Sequence, residues 1–322
     1  MQAITQDRYG SADVLRLRDI DEPTPGEHEV LVRVQAAGLA RGVIHVMTGE
    51  PYLMRLVGFG LRRPKNPVPG QDVAGTVTAT GEGVTRFAVG DEVFGIAKGS
   101  FAEYAVARED KLSHKPESLS FEQAAAMPVS GLTALGALDT AGVTSGSDVL
   151  VVGASGGVGT YAVQIAVAMG ASVTGVASGD KADLVTALGA RHVIDYARED
   201  FADGSRTYDV VVDTGGMTSV SRLRRALRPK GTLVIVGGEG GSTWSPGMGR
   251  QLKAAVMSPV VSQRLKSILN KEHYTGLDRL AKLAATGEVA PCIERSYPLA
   301  EVPDAVRRLE AGKVRGQVVI TP

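Results

Sequence analysis

The chain has 322 residues, enough for two domains, with 35 basic and 35 acidic side chains and a net charge of zero. That balance gives no basis for binding nucleic acid or an anionic membrane surface, and no apolar run reaches the length needed to span a bilayer. The single cysteine, Cys292, excludes an intrachain disulfide and any cysteine-built zinc cluster. Residues 1–8 lack a signal-peptide pattern, so the expected compartment is cytoplasmic.

The first third reads as β-rich. Residues 29–36 alternate with a two-residue period, and short strands are predicted at 73–81, 91–95 and 101–106. Such strands, punctuated by Gly and Pro, suggest a barrel-like domain. From Phe121 the pattern changes. Two helical stretches lead into alternating strands, near 149–153, 172–177, 192–195, 209–213 and 232–237, and helices, near 157–169, 180–188, 218–227 and 247–256. Apolar runs such as Val210-Val211-Val212 suit strands buried on both faces of a parallel sheet. The expected fold class is therefore α/β: a doubly wound parallel sheet beside a β-rich domain. The tail adds helices over 277–286 and 301–312 and a closing strand at 317–320.

The segment from Asp148 to Gly159 is the most informative. An apolar run ends in Gly153-Ala154-Ser155-Gly156-Gly157-Val158-Gly159, which opens an apolar helix. Strand, glycine turn and helix start form a dinucleotide-binding arrangement, in which backbone amides receive a pyrophosphate. Ser155, Gly156, Gly157 and Val158 should face it. Thr214 and Gly215 after the fourth strand, and Gly237 and Gly238 after the fifth, should line the crevice at the carboxyl ends of the strands. In an NAD site the second strand ends in an acid that binds the ribose 2′-hydroxyl. Here it ends at Ala177, followed by Ser178-Gly179-Asp180-Lys181. Ser178 and Lys181 suit a 2′-phosphate, Tyr196 ends the third strand within reach of the adenine-ribose side, and Asp180 would oppose a phosphate if it turned inward. The cofactor reading is NADPH.

Several motifs carry a family resemblance over nearly the whole chain: Pro69-Gly70-Gln71-Asp72-Val73-Ala74-Gly75, Gly90-Asp91-Glu92-Val93-Phe94, Gly99-Ser100-Phe101-Ala102-Glu103-Tyr104, Gly131-Leu132-Thr133-Ala134 and Arg315-Gly316-Gln317-Val318-Val319. Their order resembles the medium-chain dehydrogenase/reductase superfamily, in its zinc-independent quinone oxidoreductase branch. The resemblance implies a GroES-like catalytic domain over 1–125 and 273–322, a Rossmann domain over 126–272, and Thr133 on the nicotinamide side. It puts Ala40, Gln71 and, roughly, Ala126 where zinc dehydrogenases hold their catalytic metal. None of the three ligates zinc in the usual set, so no metal is expected. The branch's Asn-x-x-Asp pair falls on Ala40 and Val43, so both polar groups are gone.

The expected activity is NADPH-dependent reduction of quinones or α,β-unsaturated carbonyls. Charge would build on the substrate carbonyl oxygen, which the protein must meet with hydrogen bonds. Tyr52, which looks like the branch's cleft tyrosine, and His45 are the candidate donors. Each also has a plainer reading, as a packed loop tyrosine and as a histidine holding the strand-to-helix turn. A carbonyl or alcohol dehydrogenase-type reductase of a specific pathway, or a non-catalytic NADPH-binding protein, are the alternatives. The substrate is a small molecule, and the resemblance implies a homodimer paired through an edge strand at 263–269.

Overall fold

The computed structural model describes every residue except 51, 53–54, 56–59, 238–247, 259–260 and 269–271, and Met248 by its backbone alone. The chain divides into two compact units, residues 1–132 with 272–322, and residues 133–271.

The first unit opens with an antiparallel pair, β1 (Gln2–Thr5) and β2 (Arg16–Asp19). Then come β3 (Glu29–Gly38), α1 (Gly42–Thr48), β4 (Asp72–Thr80), β5 (Glu92–Ile96), β6 (Tyr104–Arg108), β7 (Leu112–His114), α2 (Phe121–Ala125) and α3 (Pro128–Ala141), whose residues from Thr133 onward belong to the second unit. The long β3 is the spine because its alternation puts Val30, Val32 and Val34 into one apolar core with Val73, Val77, Val93 and Phe101. Burying each such side chain contributes about 1.5–3 kcal/mol. Strand β6 begins at Tyr104, later than the alternation from Phe101 predicts. Phe101 and Ala102 are fully buried, but their backbone bonds are irregular. Phe101 donates to the Pro69 carbonyl at 3.1 Å and accepts from Ile4 at 2.9 Å, while Ala102 makes one bridge to Ala3.

The second unit contains β8 (Asp148–Val152), α4 (Gly157–Ala168), β9 (Ser172–Ala177), α5 (Ala182–Ala187), β10 (His192–Asp195), β11 (Tyr208–Asp213), α6 (Val220–Arg225), β12 (Leu227–Ile235), α7 (Met248–Met257) and β13 (Arg264–Ser267). Its six strands run in the order β10-β9-β8-β11-β12-β13, all parallel. This is the doubly wound dinucleotide-binding order, with its switch point between β8 and β11. The central strands are apolar throughout because helices cover both faces; Val149, Leu150, Val151, Val211 and Val212 are fully buried. The chain then returns to the first unit with α8 (Tyr274–Ala285), β14 (Ile293–Pro298), α9 (Val302–Glu310) and β15 (Gln317–Thr321). The seven-stranded sheet there runs β14-β15-β3-β4-β5-β7, with β6 also on β3.

Candidate active site

The glycine turn after β8 is shaped by close contacts. Gly153, at φ +84°, leaves so little room that a Cβ there would lie 2.8 Å from Thr214 Oγ1 and 2.9 Å from the Gly215 nitrogen. A Cβ on Gly159 would meet the Gly153 carbonyl at 2.1 Å, so only glycine lets α4 sit this tightly on the turn. Gly156 is the N-cap of α4 and makes no side-chain cap bond, leaving first-turn amides for another acceptor. Space beside it is open, since a Cβ there would meet only the Gly153 carbonyl, at 3.5 Å. An open turn with uncapped amides fits a pyrophosphate.

Neighbouring strand ends close in beside this turn. Thr214 Oγ1 donates to the carbonyls of Val152 (2.8 Å) and Gly153 (3.2 Å), and a Cβ on Gly237 would lie 3.0 Å from the Thr214 carbonyl. Thr214, Gly215 and Gly237 thus meet Gly153 at the carboxyl ends of β8, β11 and β12. Ser155 is buried, and Gly156, Gly157 and Val158 are half-buried. Gly238 lies outside the described residues. Thr133 is half-buried on α3.

At the tip of β9 the structure gathers Ser178, Lys181 and Tyr196. Ser178 and Lys181 bracket a 3₁₀ turn over Gly179–Lys181, both half-buried, while Asp180 is exposed. Tyr196 donates its backbone N–H to the Ala177 carbonyl at 3.2 Å, and the residue is 60% exposed, which leaves its ring open to a ligand.

In the first unit, His45 and Tyr52 sit at and just beyond α1. The Arg55 guanidinium lies over the Tyr52 ring at 4.4 Å and over the Tyr9 ring at 4.3 Å. Arg55 also donates to the last carbonyl of α1, Thr48 at 3.0 Å, and to that of its C-cap, Gly49, at 2.9 Å, a favourable place for a cation. His45 Nδ1 lies 3.1 Å from the Glu50 carbonyl. A carbonyl only accepts, so Nδ1 carries the proton and Nε2 of the neutral ring is an acceptor.

The carboxylates of Asp72 and Asp213 are buried. Asp72 Oδ1 accepts the Val129 N–H at 2.6 Å, and burial pushes its pKa up to about 8. Asp213 is fully buried at the end of β11 and pairs with Arg250 of α7, which also donates to the Gly237 carbonyl at 3.2 Å. Burial raises the Asp213 pKa, opposed chiefly by Arg250 and then by the amides of Gly216 and Gly215. Arg250 ties β11, β12 and α7 together behind the crevice glycines. No spacing rule signals it, because the pair is separated by 37 positions. Among the described residues no group of three His, Cys, Asp or Glu side chains could hold a metal ion, and no helix is long and apolar enough to cross a membrane.

Residues 26–117 match the alcohol dehydrogenase GroES-like domain and residues 188–320 the domain described as zinc-binding dehydrogenase. The chain is 31% identical to the mouse (Mus musculus) mitochondrial NAD(P)H oxidoreductase RTN4IP1, across 99% of this chain and 89% of that protein. It is 33% identical to the 2-methylene-furan-3-one reductase of Solanum lycopersicum, across 100% of this chain and 79% of that one. Among solved structures, the Coxiella burnetii quinone oxidoreductase superposes with a TM-score of 0.88 at 31% identity, covering 100% and 99% of the two chains. Mycobacterial Rv1454c in complex with NADPH gives 0.85 at 29% identity, covering both chains completely. The fold and the glycine crevice define a nicotinamide-dependent oxidoreductase acting on a small molecule. The chain belongs to the medium-chain dehydrogenase/reductase superfamily, in its zinc-independent, quinone oxidoreductase-like branch.

Proposed function

We propose that the protein reduces quinones or α,β-unsaturated carbonyls with NADPH. The observation that carries the cofactor choice is the tip of β9, where Ala177 replaces the usual acid and half-buried Ser178 and Lys181 follow. A 2′-phosphate gains charge-assisted hydrogen bonds there, whereas a bare ribose finds no acid at the last position of the strand itself. The NADPH complex of Rv1454c supports the same choice, and the quinone and furanone relatives support the substrate class.

When bound, the nicotinamide supplies hydride to the β-carbon of the acceptor. The protein's part is to hold the acceptor and stabilise charge on its carbonyl oxygen. Tyr52 is the better donor of the two candidates. Its hydroxyl donates in the neutral state, and the Arg55 cation at 4.4 Å over its ring favours negative charge nearby. His45, with Nδ1 turned to the Glu50 carbonyl, donates through Nε2 only as imidazolium. Ser155, Gly156, Gly157 and Val158 hold the pyrophosphate, Thr214, Gly215 and Gly237 line the crevice, and Thr133 serves the nicotinamide side.

Assembly as a homodimer through β13 completes the reading. That strand is the outer edge of the parallel sheet, and Leu252 and Val256 of α7 are 67% and 68% exposed. A monomeric mass by light scattering at micromolar concentration sinks it. The activity test is loss of NADPH absorbance with a panel of quinones, enones and aldehydes, NADH in parallel, and identification of the product. A saturated ketone or hydroquinone is expected. An alcohol product, or no turnover with any quinone or enone, overturns the proposal.

A further inference from the structure

A second carboxylate reaches the tip of β9, and it comes from the third strand of the unit. Asp195 ends β10. Its side chain is 19% exposed and fills the space where Gly179 would carry a Cβ, which would lie 2.6 Å from Asp195 Oδ2. Gly179 stands between Ser178 and Asp180, one turn residue from Lys181. The carboxylate therefore abuts the turn read above as the 2′-phosphate side. It is not withdrawn into the sheet, and Oδ1 is spent locally, accepting the Ala197 N–H at 3.0 Å. Arg198 Nε lies 3.6 Å from Oδ2, and its side chain is 85% exposed. An exposed cation at that distance offsets the negative charge weakly.

We propose that Asp195 sets how strongly the protein discriminates between NADPH and NADH. Its carboxylate opposes the 2′-phosphate that Ser178 and Lys181 attract, and Arg198 moderates that opposition. The affinity for NADPH is thus a balance of one cation in the turn against one anion packed behind it. This rests on the reading of Ser178 and Lys181 as the phosphate side.

The test measures binding of 2′,5′-ADP and 5′-AMP by calorimetry, at low and high salt, to the full chain and two variants. Asp195→Asn keeps the acceptor for the Ala197 N–H and removes the charge. It should tighten 2′,5′-ADP by about three- to tenfold, leave 5′-AMP unchanged, and lose most of the gain in high salt. Arg198→Ala acts in the opposite direction and should weaken 2′,5′-ADP alone, so the two variants check each other if one folds poorly. Equal effects on both ligands, no effect on either, or weaker 5′-AMP binding to Asp195→Asn overturns the proposal. The last result makes Asp195 the ribose acceptor of an NADH site. Failure of the underlying reading shows separately, in the unsubstituted chain, as 2′,5′-ADP binding no tighter than 5′-AMP.

Discussion

Asp72 shows how one buried group ties the first unit to pH. Its pKa is pushed up to about 8 by burial, and the Val129 N–H pulls only part of the way back. In the unfolded chain the same carboxyl ionises near its ordinary 3.8. A folded-state pKa above the unfolded one stabilises at low pH. That contribution is full below the unfolded value and is lost as pH rises through the folded one. Between about pH 5 and 8, urea unfolding should therefore show falling stability, and Asp72→Asn should flatten that slope. An unchanged slope in the variant removes Asp72 as its source. At the other end of the chemistry, Tyr52→Phe should leave NADPH affinity intact and lower kcat by about 10- to 100-fold. A change in cofactor affinity alone would place Tyr52 outside the reaction. Lys181→Met should raise the Kd of NADPH about tenfold while NADH binds as before. Equal weakening of both cofactors would mean that Lys181 supports the turn and does not read the phosphate.

Elements differed in how openly the sequence announced them. The parallel strands were legible because burial on both faces demands apolar runs, as in Val210-Val211-Val212, and because Gly153 to Gly159 leaves a signature at the turn itself. Two strands of the first unit were not legible: β2 is exposed at every position and β14 at half of its six, so neither carries a hydrophobic rhythm. Phe101 kept that rhythm without being in a strand: its side chain joins the core, while its backbone bonds go to Pro69 and Ile4 on separate segments. Site residues followed the same division. The turn residues could be named from local spacing, whereas Arg250 beside Asp213 and Asp195 behind Gly179 are products of the tertiary fold. Helix α4 offers a direct check on the turn. Gly159→Ala pushes a methyl to within 2.1 Å of the Gly153 carbonyl, and overpacking of this kind costs about 1–3 kcal/mol. Thermal unfolding should shift down by several degrees, with NADPH affinity falling as the turn deforms. An unshifted transition would mean that α4 can move away at no cost.

For the molecule as a whole, a ligand that binds only the folded state adds stability by mass action, about 2.7 kcal/mol at a hundred times its Kd. NADPH should raise the thermal transition more than an equal concentration of NADH, with no substrate present. Equal shifts would show that the protein as a whole does not discriminate between them.

The sheet order also fixes a sequence of events during synthesis. All six strands of the parallel sheet lie between Asp148 and Ser267, so they can pair while the ribosome is still at work. Strand β3, made early, waits for β15, whose Val319 and Ile320 pair with Gly38 and Ala37. Some 280 residues of chain emerge between the two partners. Until they do, β3 presents an unmatched backbone edge at Ala37 and Gly38, the kind of edge that invites pairing with a neighbouring nascent chain. A polysome crowded with such chains is where this protein is most exposed to aggregation, and chaperone demand should peak late in translation.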